Sequence, residues 1–294
     1  MKPHTPVMVN EVVNYLRALE GGCFFDGTFG MGGHSKAILT ANNENIVYAV
    51  DRDPETIKFA EALSKIFPNR FYFFVCSFKD AFDFFNLNQC KGFLLDLGIS
   101  QYQLYSKKRG FSFHDEESLD CRINPAENVP TGADILNAAS PAELKAVLKK
   151  GGVGKELPYV LKSILMNRPF KSAKELGDAI RKSIPRKLHV ASKSNYRHVV
   201  MQALRMEVNK EREHLAEFFC RLKNVAPRFS RVCVICFNSL EDKIVTSTFR
   251  KWARDPEKIG ALLTKKAVKP NPDEISRNPS SRSALLRLFE FRNV

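Results

Sequence analysis

Three aspartates stand where apolar runs stop: Asp26 after Cys23-Phe24-Phe25, Asp51 after Ile46–Val50, and Asp96 after Gly92–Leu95. The first opens a glycine-rich stretch, Asp26-Gly27-Thr28-Phe29-Gly30-Met31-Gly32-Gly33-His34-Ser35, followed by a helix-compatible segment. That order suits a buried strand that ends, turns tightly and starts a helix whose free N–H groups face a ligand. Glycines allow close backbone approach to a cofactor and supply positive φ where a turn needs it. A plain strand-to-helix connection has the same composition, so the neighbouring elements decide what the loop does.

Those elements alternate. Strand-like runs at Cys23–Asp26, Ile46–Asp51, Phe71–Val75 and Gly92–Asp96 are separated by helix-compatible segments, including Phe78 to Leu87. Such spacing predicts βαβ units and a doubly wound, mostly parallel α/β sheet, with the third strand apolar enough to be covered on both faces. Ligands of these sheets sit beyond the carboxyl ends of the strands, so the three acids are expected to line one crevice. From Leu104 to about Tyr196 strand signals vanish, and helix-like pieces follow Ser140 and Ser172, both suited to capping. A long helix from His198, a strand at Arg231–Phe237, a helix near Glu241–Arg254 and a strand at Leu285–Phe291 complete the sheet. The expected layout is a core of residues 1–103 and 198–294, with a helical domain inserted at 104–197.

Charge adds a partner. Lys plus Arg exceed Asp plus Glu by 14, and Lys145 to Arg197 holds 14 basic residues against Glu156, Glu175 and Asp178. A basic segment of this kind is the electrostatic footprint of a phosphate backbone, although a solvated helical surface has the same composition. No apolar run is long enough for a membrane span, the N-terminus lacks an apolar signal core, and seven cysteines scatter through apolar segments. The expectation is a cytoplasmic protein without a membrane segment. Cys233 and Cys236, three apart on one strand, point to opposite faces and cannot share a metal, so no metal is expected.

Two cofactor classes use this architecture: nicotinamide or flavin dinucleotides, and S-adenosylmethionine. Counting from Gly30, the G-x-G-x-x-G fingerprint finds Gly32 but meets Ser35 at its third position. Asp51 suits the ribose hydroxyls of either class and disfavours a 2′-phosphate. The residues alone leave an NAD-dependent oxidoreductase, a methyltransferase and a non-enzymatic RNA-binding protein all open.

The glycine-rich stretch nevertheless resembles the signature of the MraW/RsmH family, bacterial methyltransferases acting on cytosine N4 of 16S ribosomal RNA. The similarity continues in His4-Thr5-Pro6-Val7-Met8, Asp51-Arg52-Asp53-Pro54, Asp96-Leu97-Gly98-Ile99-Ser100, Gln103-Leu104 and Arg109–Phe113. It extends through Leu119–Arg122, Ser239–Asp242 and Asn278–Ala284, in family order. The resemblance implies a Rossmann-like methyltransferase core, S-adenosylmethionine as cofactor, and 16S ribosomal RNA in the small ribosomal subunit as partner. It places donor binding on Gly32, Gly33, His34, Asp51, Phe78, Asp96 and Gln103. Oligomeric state stays open, a homodimer included. The family pattern is departed from at Gln101, at Asn238, where the family has histidine, and across Asn195–Met201.

For the reaction, cytosine N4 is a poor nucleophile because its lone pair is delocalised into the ring. A carboxylate accepting the amino proton lets that pair localise as the new bond forms, which makes Asp96 the first catalytic candidate and Ser100 a second, for orienting the base. The Arg109–Phe113 segment, two aromatics beside a cation, suits either stacking an unpaired base or packing as a hinge.

Overall fold

The computed structural model describes residues 6–105, 108–185, 196–257 and 259–292. Of the segments read above, His4, Thr5 and residues 186–195 lie outside them. The strands are β1 (Cys23–Asp26), β2 (Ile46–Asp51), β3 (Phe71–Val75), β4 (Cys90–Asp96), β5 (Arg231–Cys236), β6 (Gly260–Leu262) and β7 (Leu285–Phe291). Helices are α1 (Val9–Tyr15), α2 (Gly33–Ala41), α3 (Ile57–Ile66), α4 (Gln101–Tyr105), α5 (Gly132–Ala138) and α6 (Pro141–Lys150). They continue as α7 (Leu157–Asn167), α8 (Ala173–Ser183), α9 (Tyr196–Val208), α10 (Glu211–Val225), α11 (Ser239–Ala253) and α12 (Pro272–Arg277). The chain divides into two compact units, Met1–Gly98 with Arg212–Val294, and Ile99–Glu211.

In the first unit one sheet runs β3-β2-β1-β4-β5-β7-β6. The first five of these pair in parallel, and β7 returns antiparallel to both β5 and β6. Strand order reverses between β1 and β4, which makes their carboxyl ends the topological switch point. Alternate residues feed two separate cores: Phe25, Phe93, Leu95 and Val234 pack on one face with Phe218 and Phe249. Phe24, Leu94, Cys233 and Ile235 pack on the other with Ile38 and Leu39. Burial on both faces explains the unbroken apolar runs of β1, β4 and β5. It also separates Cys233 from Cys236, which fall in different cores.

The third strand departs from expectation. β3 pairs only with β2, and as an edge strand it leaves Tyr72, Phe74 and Val75 exposed. The Phe78–Leu87 segment is a 3-10 turn, Phe78–Asp83, rather than an α-helix. Its phenylalanines go to different partners: Phe78 and Phe82 lie 5.5 Å from Phe218, and Phe85 stacks 4.6 Å from Tyr48. One regular helical face would not serve both.

The second unit is helical, with its own core of Leu144, Val160, Ile164, Leu176, Ile180, Val200 and Leu204. Ser140 and Ser172 each form a capping box, with Glu143 and Glu175. Thr131 with Asp134 makes a third, which the sequence reading did not pick out. The unit's bounds are wider than 104–197 at both ends. Tyr196, Val200, Met201 and Leu204 of α9 are buried among the inserted helices, so α9 belongs here rather than to the sheet. The single long helix expected from His198 breaks at Asn209 and Lys210, the latter at φ 51. Asn209 is buried there, donating to the Cys121 carbonyl at 2.7 Å and accepting from the Ile123 N–H at 2.7 Å.

Candidate active site

Asp26, Asp51 and Asp96 end β1, β2 and β4, as the sequence predicts, and each is held differently. Asp26 is fully buried, accepts from the Ser35 hydroxyl at 2.7 Å and from the Thr28 N–H at 3.2 Å. Ser35, the residue that breaks the dinucleotide fingerprint, therefore has a use: it ties the start of α2 to the end of β1. Burial pushes the Asp26 carboxyl up, against the opposing charge of His34. Asp51 accepts from the Gly30 N–H at 2.7 Å on one oxygen and from the Asp53 N–H at 2.9 Å on the other. The next turn, Pro54–Thr56, is capped by Asp53 and not by Asp51. Burial raises Asp51 to about 6, against those two backbone donors. Asp96 has its own N–H fixed on the Thr28 hydroxyl at 2.6 Å, and its Oδ1 is buried with no hydrogen-bond partner among the described residues. It too is raised to about 6, by burial first, with His34 opposing and Asp26 adding.

The glycines do not share one role. Gly32 has φ 78 and precedes α2; a Cβ there would meet the Phe29 ring at 2.7 Å. A Cβ on Gly33 would meet Pro6 at 2.7 Å, so its bareness serves the N-terminal segment. Of Gly27, Gly30, Gly32 and Gly33, Gly30, at φ 55, is the one where a Cβ would have nothing within 4 Å, so it faces open space. Gly32, the N-cap of α2, has no side chain to cap it; the Asp26 carboxylate takes the Ser35 N–H, and the N–H groups of Gly33 and His34 are the ones placed to meet a ligand.

The His34 side chain turns into the protein. The ring is buried, with Nε2 2.8 Å from the Val7 carbonyl oxygen and Nδ1 3.7 Å from Asp96 Oδ2. Phe78 is half-buried, its ring edge-on to Phe218, with its Cβ 3.0 Å from a Cβ built on Gly27. The sheet thus gathers Gly32, Gly33, His34, Asp51, Phe78 and Asp96 in one unit. Ser100 and Gln103 fall in the other, where they cap α4 reciprocally: Ser100 N–H to Gln103 Oε1 at 3.0 Å, Gln103 N–H to Ser100 Oγ at 3.2 Å. An S-x-x-Q pair ahead of a helix is the sequence signature of a capping box, so this role is legible in the chain.

Two further sites are structural. Arg109 and Phe111 are buried, Arg109 donating to the Ile123 carbonyl at 2.7 Å, and the Phe113 ring lies against Gly177. The Arg109–Phe111 part of the segment is therefore packed in the helical unit, while Phe113 is half-buried. Asn238, where the family has histidine, is the N-cap of α11, accepting from the Leu240 and Glu241 N–H groups at 3.0 Å each. Among the described residues no helix is long and apolar enough to cross a membrane.

Three buried or half-buried carboxyls around the start of α2 suit a cationic ligand carrying hydroxyls and a carboxylate. The unpaired Asp96 Oδ1 and the open face of Gly30 are the places where such a ligand would complete the site.

A sequence model described as the MraW methylase family matches residues 1–292. Ribosomal RNA small subunit methyltransferase H of a Nitratiruptor species is 34% identical, covering 99% of each chain. The protein of that name from Sulfurimonas denitrificans is 35% identical over 99% of this chain and 98% of its own. That from Thermotoga neapolitana is 37% identical over 98% and 95%. Among solved structures, a rRNA methylase from Streptococcus thermophilus aligns over 97% of this chain and 94% of its own at TM-score 0.45 and 7% identity, too distant to bear on the site. The full-length match to the family model and to relatives above 30% identity has one meaning: the chain belongs to the MraW methylase family.

Proposed function

We propose that the protein transfers the methyl group of S-adenosylmethionine to the exocyclic N4 of a cytosine in 16S ribosomal RNA, in the cytoplasm and on the small ribosomal subunit. The observation that carries this is the switch point of the sheet, where the acids ending β1, β2 and β4 adjoin the glycine loop and the start of α2. Its relatives' name, ribosomal RNA small subunit methyltransferase H, supports the substrate. When bound, the donor supplies a sulfonium methyl group as the electrophile.

The chain's own residues then divide the work. Gly32 and Gly33 set the tight entry to α2, whose first N–H groups, that of His34 among them, hold the donor carboxylate. Asp51, already aligned by the Gly30 and Asp53 N–H groups, takes the ribose hydroxyls. Phe78 borders the adenine side. Asp96, its backbone fixed by Thr28, accepts the proton of the target amino group. For Ser100 and Gln103 the family resemblance alone supports a site role, since their polar groups cap α4. Calorimetric titration with S-adenosylmethionine and with NAD tests the cofactor assignment: binding of the methyl donor alone is expected, and binding of NAD alone would overturn it.

The helical unit supports the RNA partner. Lys145, Lys149, Lys155, Lys162, Lys171 and Lys182 are exposed on it and suit binding to phosphates, which gives affinity without sequence information. Reversing Lys149, Lys162 and Lys171 to glutamate is expected to weaken RNA binding more than tenfold at 0.1 M salt. The log–log salt slope should fall by about 0.7–0.9 for each phosphate the variant no longer neutralises. Donor affinity should not change; a matching loss of donor binding, or unaltered RNA binding, contradicts the division of labour.

A further inference from the structure

Edge strands are usually guarded against other strands by a charge, a proline or a bulge. β3 has none of these within Phe71–Val75, and its register against β2 is unbroken. Two bonds show which backbone groups face β2: the Val47 N–H donates to the Arg70 carbonyl at 2.8 Å, and the Cys76 N–H to the Asp51 carbonyl at 3.0 Å. Backbone groups alternate along a strand, so Tyr72 and Phe74 share that side. Phe71, Phe73 and Val75 turn their N–H and C=O groups outward, where no described residue meets them. Such a row, repeating every two residues, matches the backbone of one more strand.

Beside this edge β3 and α3 enclose an open groove of about 730 Å³. Ile57, Ala60, Phe73 and Val75 give it apolar walls, and Glu61 and Lys65 add charge. Both charged residues are exposed, and neither has an ion-pair partner among the described residues. α3 joins the end of β2 to the start of β3, so it runs against β3 and alongside any strand added antiparallel to β3. Four helix residues rise about 6 Å and two strand residues about 6.8 Å, so alternate side chains of that strand meet Ile57, Glu61 and Lys65 in turn. A second copy of β3 does not suit the groove. Phe71 and Phe73, the rings it would bring to this face, are committed to Phe29 at 5.3 and 5.0 Å.

We infer that the outer edge of β3 takes an extended segment of a partner protein as an eighth strand of the sheet, antiparallel to β3. The segment's groove-facing side chains are apolar beside Ile57, basic beside Glu61 and acidic beside Lys65. Its opposite face covers Tyr72 and Phe74, which are 43% and 44% exposed, and aromatic or β-branched residues suit them there. Backbone bonds supply the affinity, and the groove supplies the choice of sequence. The inference does not depend on methyl transfer.

The probe is a capped heptapeptide, Ser-Val-Tyr-Lys-Tyr-Glu-Ser, and its control has the lysine and the glutamate exchanged. Amide hydrogen exchange of the whole chain is read by nuclear magnetic resonance, with and without peptide at about 1 mM. The Phe71, Phe73 and Val75 amides should exchange freely without the peptide and at least about tenfold more slowly with it. Those of Tyr72 and Phe74, already bonded to β2, should change less than about threefold. The control peptide should bind about fivefold more weakly, since two exposed ion pairs become two repulsions. Exchanging the charges in the protein, Glu61→Lys with Lys65→Glu, should reverse that order without touching the sheet. No added protection at Phe71, Phe73 and Val75, or equal binding of the two peptides, overturns the inference. Protection of these three amides in the free protein that vanishes on dilution would place a second copy on the edge and also overturns it.

Discussion

Replacing Asp96 by asparagine is expected to lower kcat by about 10²–10⁴-fold, the range for loss of a positioned general base. The dissociation constant of the donor should change by less than about tenfold, since Asp51 and the start of α2 are untouched by the substitution. The two parameters separate two uses of the same carboxylate. A large rise in the donor's Kd with little change in kcat would assign Asp96 to the cofactor's amine and remove it from the chemistry. The pH profile gives a second view. Asp96 is an acid raised to about 6, chiefly by burial. Its ionised, proton-accepting form is therefore present above that pH and lost as the pH falls through it. The parent enzyme should show an acidic limb of kcat near pH 6, and Asp96→Asn should lack it.

Asp51→Ala should raise the donor's Kd by about 10²-fold or more, because two hydrogen bonds to a charged acceptor are each worth about 1.5–3 kcal/mol. Part of that loss is indirect. Asp51 also receives the Gly30 and Asp53 N–H groups, so removing it leaves the glycine loop without one of its fixed points. Asp51→Asn retains one side-chain carbonyl acceptor and should fall between alanine and the parent. RNA affinity, measured by filter binding without donor, should be the same in all three. A drop in RNA affinity with Asp51→Ala equal to that of the lysine reversals would show that the acid-lined end of the sheet and the basic helical unit cannot be separated functionally.

How much of this could be read from the chain depends on how local each cause is. The strand ends and their acids were legible because a strand buried on both faces writes an unbroken apolar run, and the aspartate that stops it marks the carboxyl end. The caps at Ser140 and Ser172 were legible because each is local to its helix start; the glutamates three residues on complete them as capping boxes. β3 misled because its aromatics imitate a central strand; strand order, set by long-range pairing, leaves it at the edge. The helical unit's limits misled because α9 carries the same apolar spacing whichever core receives it. Within the site, the residue types were legible and their neighbours were not. Gly33 looked like a cofactor glycine, yet its neighbour is Pro6, 27 positions earlier. Ser35 looked like a missing glycine, yet it binds Asp26. The link from Thr28 to Asp96 spans 68 residues, and the meeting of His34 with Val7 and Asp96 needs three separate segments. Periodicity carries no record of such pairings.

The central claim is the transfer of a methyl group from S-adenosylmethionine to cytosine N4 of small-subunit ribosomal RNA. The measurement that reaches it most directly uses donor tritiated in its methyl group, small subunits from a strain lacking the modification, and nucleoside mapping of the product. Label in N4-methylated cytidine of 16S ribosomal RNA is the predicted result. Label on carbon 5 of a cytosine, or on a ribosomal protein, would contradict it.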